Sequence, residues 1–394
     1  MYRRFFWVVV ALFCLCTAWP LVAAPSRGKA RKPPLPSRLL CVVCEHYDRV
    51  LVYRADARGR LAMLSHGIGV QAPRDAVYNP LYRRLYVSAD YMSRPCIVTY
   101  ALDAHNHFHR VGDPVPTAVE GPQLVLAGYR LYAWSPRGTQ MFTLDSTGQP
   151  TGLPQSAVGK GVDALVLGRA NRVAYVLSRG KVGVRRIDPG TGALGSALGM
   201  DVDPGYGTSG IELDPSGRHL YVLLLGGADQ HVRIFDVRPD GSLVPSDAAT
   251  SATTDEAQKR MFFDGPCVYV TNVSDTISIF LDNEGTGHLT RLYRPVPTAH
   301  GVDGLVFFSR WAYAVGADDH SIWVYRVDPR HHRLHRVRQV WLPDGVAGTR
   351  IMWLGGSRSA DARESTGASS TARPQAGSRP GHRLTPGVLP TPAD

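Results

Sequence analysis

A short apolar strand centred on an aromatic residue recurs along this chain at nearly constant spacing. The copies are LYVSAD (Tyr86), LYAWSP (Tyr132), AYVLSR (Tyr175), LYVLLL (Tyr221), VYVTNV (Tyr269) and AYAVGA (Tyr313). Successive tyrosines lie 46, 43, 46, 48 and 44 residues apart. A divergent copy, LLCVVC, places Cys41 where tyrosine belongs, 45 residues before Tyr86. Seven copies at a period of roughly 40–50 residues define a repeat architecture, in which each unit buries its apolar faces against its neighbours.

One period resolves into four strands. In the clearest copy, SGIELDP alternates and breaks at Pro215-Ser216-Gly217. RHLYVLLLG follows as a buried run, HVRIFDV alternates again, and LVPSDA after the turn RPDGS is a short polar edge. Period-2 runs bounded by Gly, Pro, Asp and Ser are antiparallel strands. Four strands per period make a propeller blade. The expected fold is therefore all-β, a seven-bladed β-propeller of four-stranded antiparallel blades. Turns between third and fourth strands recur as DARGRL, DSTGQP, DPGTGAL, RPDGSL and DNEGTGHL. Asp supplies local hydrogen bonds there, and Gly supplies positive φ.

The first copy lacks an innermost strand, and the missing piece stands at the other end of the repeat region. GVAGTRIMWLGG (Gly345 to Gly356) has the shape of a first strand, and no second strand follows it. The C-terminal strand is thus expected to complete the first blade and close the ring, which removes open sheet edges. The phrase Gly-Val-Asp occurs at 161–163 and at 301–303, three periods apart, and opens the inner strands of blades four and seven.

The expected propeller spans 38–356. Residues 1–24 read as a signal peptide: Arg3 and Arg4, an apolar run from Phe5 to Trp19, then Val22-Ala23-Ala24. Residues 25–37 form a basic, Pro-rich lead-in, and 357–394 a tail too poor in apolar residues to order itself. The protein is expected to be exported, periplasmic or extracellular, with no membrane span and as a monomer. The net charge of +11 is spread over the chain without a basic stripe, which argues against a nucleic-acid partner. The composition is 44% hydrophobic, enough for a large core.

The literal Tyr269-Val270-Thr271-Asn272 in CVYVTNVSDTISIF and the blade LDPSGRHLYVLLLGGADQHVRIFDVRPDGSL resemble the YVTN-repeat propellers of the lactonase family, which are similar to 6-phosphogluconolactonase. The resemblance covers roughly residues 38–354 and implies the seven-bladed fold. It also implies lactone hydrolysis by an Arg-His pair opening an inner strand in a Gly-Pro-Arg-His frame, with a Glu after a second strand. Here the frame EGPQLVL carries Gln123 and Leu124 at those places, and GYGTSGIELD carries Thr208, Ser209 and Gly210. No catalytic residue carries over. Glu212, inside a strand, reads as structural.

Loops entering the inner strands, and loops joining second and third strands, share the face around the axial channel, where ligands bind by default. The richest corner joins blades seven and one. His300, Asp303 and His320 are the candidate catalytic groups, since a carboxylate beside an imidazole can orient a general base. His46, Asp48, Asp75, Asp163, Asp319 and Arg350 are the candidate ligand-binding groups. Asp75, Asp163 and Asp303 can ring the channel mouth, where a divalent cation such as Ca2+ would relieve their repulsion. Cys44 and Cys96, in adjacent blades near that face, are candidates for a disulfide in an oxidising compartment. In CVVC, residues three apart on a strand point to opposite faces, which argues against a shared metal or redox site. The function this supports is an exported scaffold binding a partner protein or a small envelope ligand on its channel face. The alternative is a divergent lactonase-type hydrolase.

Overall fold

The computed structural model describes residues 37–158, 161–168, 171–205, 207–224, 232–246 and 258–354. The expected leader, the tail, and all of the lead-in except Ser37 lie outside the described residues. Tyr86 to Tyr313 each sit in the second strand of a blade, as the spacing predicts. Blade two is typical: Asp75–Asn79 is innermost, followed outward by Arg84–Tyr91, Arg94–Leu102 and Phe108–Arg110. Blades three to seven repeat this order, their inner strands being Gln123–Ala127, Val162–Leu167, Thr208–Leu213, Gln258–Asp264 and Val302–Phe308. Blade one is made from both ends of the repeat region. Arg350–Leu354 pairs antiparallel with Ser37–Cys44, in the register Leu40 to Trp353 and Val42 to Ile351. The ring of seven blades, each built on four antiparallel strands and two of them carrying an extra short strand (Val115–Pro116 and Val296–Pro297), is closed by the C-terminal strand.

The core is divided into seven apolar clusters, one between each pair of neighbouring blades. The period-2 alternation of the sequence produces this division, because the two faces of each blade feed different clusters. On Ser37–Cys44, Leu40, Val42 and Cys44 face blade seven, while Cys41 and Val43 face blade two.

The recurrent tyrosine secures each blade to the next. Tyr86 donates its hydroxyl hydrogen to the Gly148 carbonyl at 2.6 Å, Tyr132 to Gly192 at 2.7 Å, and Tyr175 to Gly241 at 3.1 Å. Tyr221 lies 3.1 Å from the Gly287 carbonyl and 2.9 Å from Asp282, and Tyr269 reaches the His332 carbonyl at 3.4 Å. All five of these carbonyls belong to third-to-fourth turns of the following blade, at positions of positive φ. Gly192 shows why glycine suits the place: its φ is +81°, and a Cβ there would run into the Arg130 side chain. These hydroxyls are buried, so removing one leaves an orphaned carbonyl. Tyr132→Phe is expected to lower unfolding free energy by about 1 kcal/mol without altering the fold. Equal urea midpoints for variant and parent would refute that role.

Blade one departs from the pattern on both sides. Cys41 replaces its tyrosine, and the Tyr313 hydroxyl of blade seven has no hydrogen-bond partner among the described residues. Indoles take over at the closing junction. Trp311 Nε1 donates to the Ala57 carbonyl at 3.0 Å, and Trp353 Nε1 to the Phe307 carbonyl at 2.8 Å.

No helix of the described residues is long and apolar enough to cross a membrane. The Cys44–Cys96 disulfide expected from sequence is not formed: both thiols are free, and they belong to different clusters, Cys44 facing blade seven and Cys96 lying between blades one and two. Burial pushes the Cys44 thiol up to about 12 and the Cys96 thiol up to about 11, away from the reactive thiolate.

Candidate functional site: the mouth of the axial channel

Four of the seven inner strands carry a β-bulge against their second strands. The extra residues are Asp163, Ser209, Lys259 and Asp303 in blades four to seven. A bulge leaves one residue outside the ladder and re-aims its side chain. The repeated Gly-Val-Asp phrase builds this device. Gly161 and Gly301 enter at φ +90° and +64°, Val162 and Val302 are fully buried, and Asp163 and Asp303 are the bulged residues. Positive φ at the first position, an apolar anchor at the second and a polar side chain freed at the third explain why the chain writes the phrase twice.

The channel mouth encloses a cavity of about 580 Å3, bordered by Asp75, Asp163, Ser209, Glu212, Arg260 and Arg350 among others. That volume suits a small molecule. Two guanidinium–carboxylate pairs organise one side. Arg260 Nε donates to Asp303 Oδ1 at 2.7 Å, and Arg350 Nε lies 3.8 Å from Asp75 Oδ1. Arg350, on the closing strand, keeps only 15% of its side chain exposed. Burial lowers its pKa from the ordinary value, while Asp75 opposes the change. Asp75 is held from three sides: its Oδ1 accepts the Ala76 N–H, its Oδ2 accepts the Leu124 N–H of blade three, and its own N–H donates to Ser88 Oγ.

Glu212, which reads from sequence as a structural strand residue, lies at the cavity wall. Burial pushes its pKa up to about 7, partly countered by the nearby Arg260. Its strand position carries a usable sign. A Cβ at Gly210, two residues earlier and on the same strand face, would meet the Lys259 carbonyl of blade six. That face therefore looks toward Arg260.

The structure distributes the other expected site residues. His300 and Asp303 do not join. His300 Nδ1 lies 2.8 Å from Asp275 Oδ2 of blade six and is 74% exposed, while Asp303 binds Arg260. His320 is exposed, and its carbonyl accepts the Leu342 N–H. Asp319 is buried, accepting from Ser321 Oγ at 2.6 Å and Trp323 Nε1 at 2.8 Å, so its oxygens bracket its own blade. His46 and Asp48 are exposed, and Asp48 Oδ1 accepts the Ala72 N–H. Asp163 Oδ2 accepts the Arg179 N–H at 3.1 Å. Asp75, Asp163 and Arg350 thus border the channel cavity, while His46, Asp48 and Asp319 are not among its lining. No group of three or more His, Cys, Asp or Glu side chains among the described residues is placed to hold a metal ion.

No family model matches the chain, and no curated protein matches it in sequence. Solved structures do match. A periplasmic gluconolactonase from Pseudomonas aeruginosa aligns with a TM-score of 0.69 and 17% identity, over 81% of this chain and 99% of that one. A Bacteroides uniformis protein assigned as a 6-phosphogluconolactonase aligns with a TM-score of 0.68 and 16% identity, over 80% and 99%. A Bacteroides fragilis protein with the same assignment gives 0.67 and 14%, over 84% and 100%. The fold is that of a lactonase-like propeller. The superpositions establish the fold, and identities this low leave the chemistry to the site itself.

Proposed function

We propose that this protein is an exported binding protein for a small hydroxylated carboxylate, of the sugar-acid class, at the mouth of its axial channel. The observation that carries the reading is the pairing of Arg260 with Asp303 and Arg350 with Asp75 beside a cavity of about 580 Å3. Guanidinium groups recognise a carboxylate through paired N–H donors, and carboxylates accept from ligand hydroxyls. Each charge already has a counter-charge, so the site does not depend on the ligand for neutrality. The basic start and apolar run of residues 1–24 support export, as does a periplasmic protein among those of like fold.

Titration calorimetry with D-gluconate and D-galacturonate tests the proposal. Binding is expected, weakened roughly tenfold in Arg350→Gln, which removes the charge and keeps the packing. Absence of binding by sugar acids, or affinity unmoved by Arg350→Gln and Arg260→Gln, would overturn it.

A second reading, hydrolysis of a sugar lactone, has one observation in its favour. Glu212 faces the cavity with its pKa raised to about 7, the range in which a carboxylate acts as a general base near neutral pH. Turnover of D-glucono-1,5-lactone above the spontaneous rate, abolished in Glu212→Gln, would establish this reading. Turnover at the spontaneous rate would end it.

A further inference from the structure

The channel has a second chamber, of about 700 Å3, at the end where the inner strands finish. Glu212, Met261 and Phe262 border both cavities, so they form the waist between them. The two chambers differ in chemistry. The second is walled by Phe262, Phe263, Phe307 and Trp353, all half-buried. These rings are held in place from behind: Phe307 packs on Tyr269 with centroids 4.5 Å apart, Phe263 lies 5.9 Å from Tyr221, and Trp353 meets Tyr313 edge-on at 5.7 Å. Trp353 spends its only donor on the Phe307 carbonyl, so it offers a ligand a π surface and no hydrogen bond. The charged groups of this chamber are three carboxylates, Glu212, Asp264 and Glu284, against one guanidinium, Arg38.

We infer that this chamber is a second binding site, separate from the channel mouth, for an organic ammonium ion with an apolar body. Aromatic faces attract a cation through their quadrupole and accept apolar substituents by burial. Even with Glu212 protonated, Asp264 and Glu284 outnumber the single Arg38 and set the sign of the ligand. A sugar acid satisfies neither condition here, whereas the paired guanidinium groups that suit it stand at the other mouth. The waist at Glu212 places one carboxyl within reach of both chambers, with burial already holding its pKa near neutrality. A cation on the far side would draw that group toward its charged form.

Titration calorimetry of the intact mature protein with benzyltrimethylammonium, benzenesulfonate and benzyl alcohol tests the inference. The ammonium probe is expected to bind, and the anion and the neutral alcohol to bind at least roughly tenfold more weakly. Glu284→Gln, an exposed turn residue, and Phe263→Leu are each expected to weaken the ammonium probe several-fold. Arg350→Gln is expected to leave it unchanged, since that residue belongs to the other mouth. Three results would overturn the inference: no ammonium binding, equal binding of anion and cation, or loss of affinity in Arg350→Gln with none in Glu284→Gln or Phe263→Leu.

Discussion

A chain ended at Gly348 is expected to lose its native fold. The cut removes the strand Arg350–Leu354, whose Ile351 and Leu354 are buried and whose backbone pairs with Leu39 to Val43. It also removes Thr349, whose N–H donates to the Val43 carbonyl at 2.8 Å. Burial of two such side chains stabilises by about 3–6 kcal/mol. To this is added the exposure of Leu40 and Val42, which are fully buried in the intact ring. A loss of that size matches the whole stability of many domains, about 5–15 kcal/mol. The unpaired edge of Ser37–Cys44 would also invite pairing between molecules. Circular dichroism and gel filtration are expected to show an unfolded or aggregated product. A chain ended at Gly356 is expected to melt with the full-length protein. A monomeric Gly348 product with an unchanged melting temperature would show that the ring does not need its closing strand.

The second large effect concerns pH. Glu212 has its pKa raised from 4.5 to about 7 by burial. The folded protein therefore keeps this proton through a window in which the unfolded chain has released it. The unfolded state binds fewer protons there, so stability falls as pH rises from about 4.5 to about 7 and stays lower above that. Glu212→Gln removes this dependence while preserving size. Variant and parent are expected to have similar urea midpoints at pH 4. At pH 8 the variant is expected to be more stable by up to about 3 kcal/mol. A difference that is the same at both pH values would show that Glu212 is not held neutral by its surroundings.

The architecture was legible because its signal is repeated. Six of the seven second strands are announced by a tyrosine, and the displaced inner strand of blade one is announced by an unpartnered segment near the end of the repeat region. Asp75, Asp163 and Arg350 were legible for a related reason: residues that open inner strands share one face of the ring. The His300 corner was not, because partner choice is decided between blades. His300 and Asp303 are close in sequence, yet each is claimed by a blade-six residue, Asp275 and Arg260 respectively. Asp319 looks free in GADDHS, but Ser321 and Trp323 on the next strand take both its oxygens. Glu212 reads as structural from sequence because alternation separates two strand faces without saying which part of a strand borders an axial cavity. The cysteines of adjacent blades lie on opposite sides of blade one's sheet, a distinction that proximity in blade order does not carry.

The recurrent second-strand tyrosine hydroxyls stitch blade two to three, three to four, and onward to seven. The blade assembled from two distant stretches of chain is held differently, by the Trp311 indole on the Ala57 carbonyl at one flank and the Tyr100 hydroxyl on the Gly69 carbonyl at the other. Its inner strand is joined to the rest of the blade by strand pairing alone, with no turn between them, so the amide protons of Arg350–Leu354 are expected to exchange ahead of those in blades three to six. Arg350 rides on that strand, so the security of the ring's latch and the placing of one cation at the channel mouth depend on the same five residues.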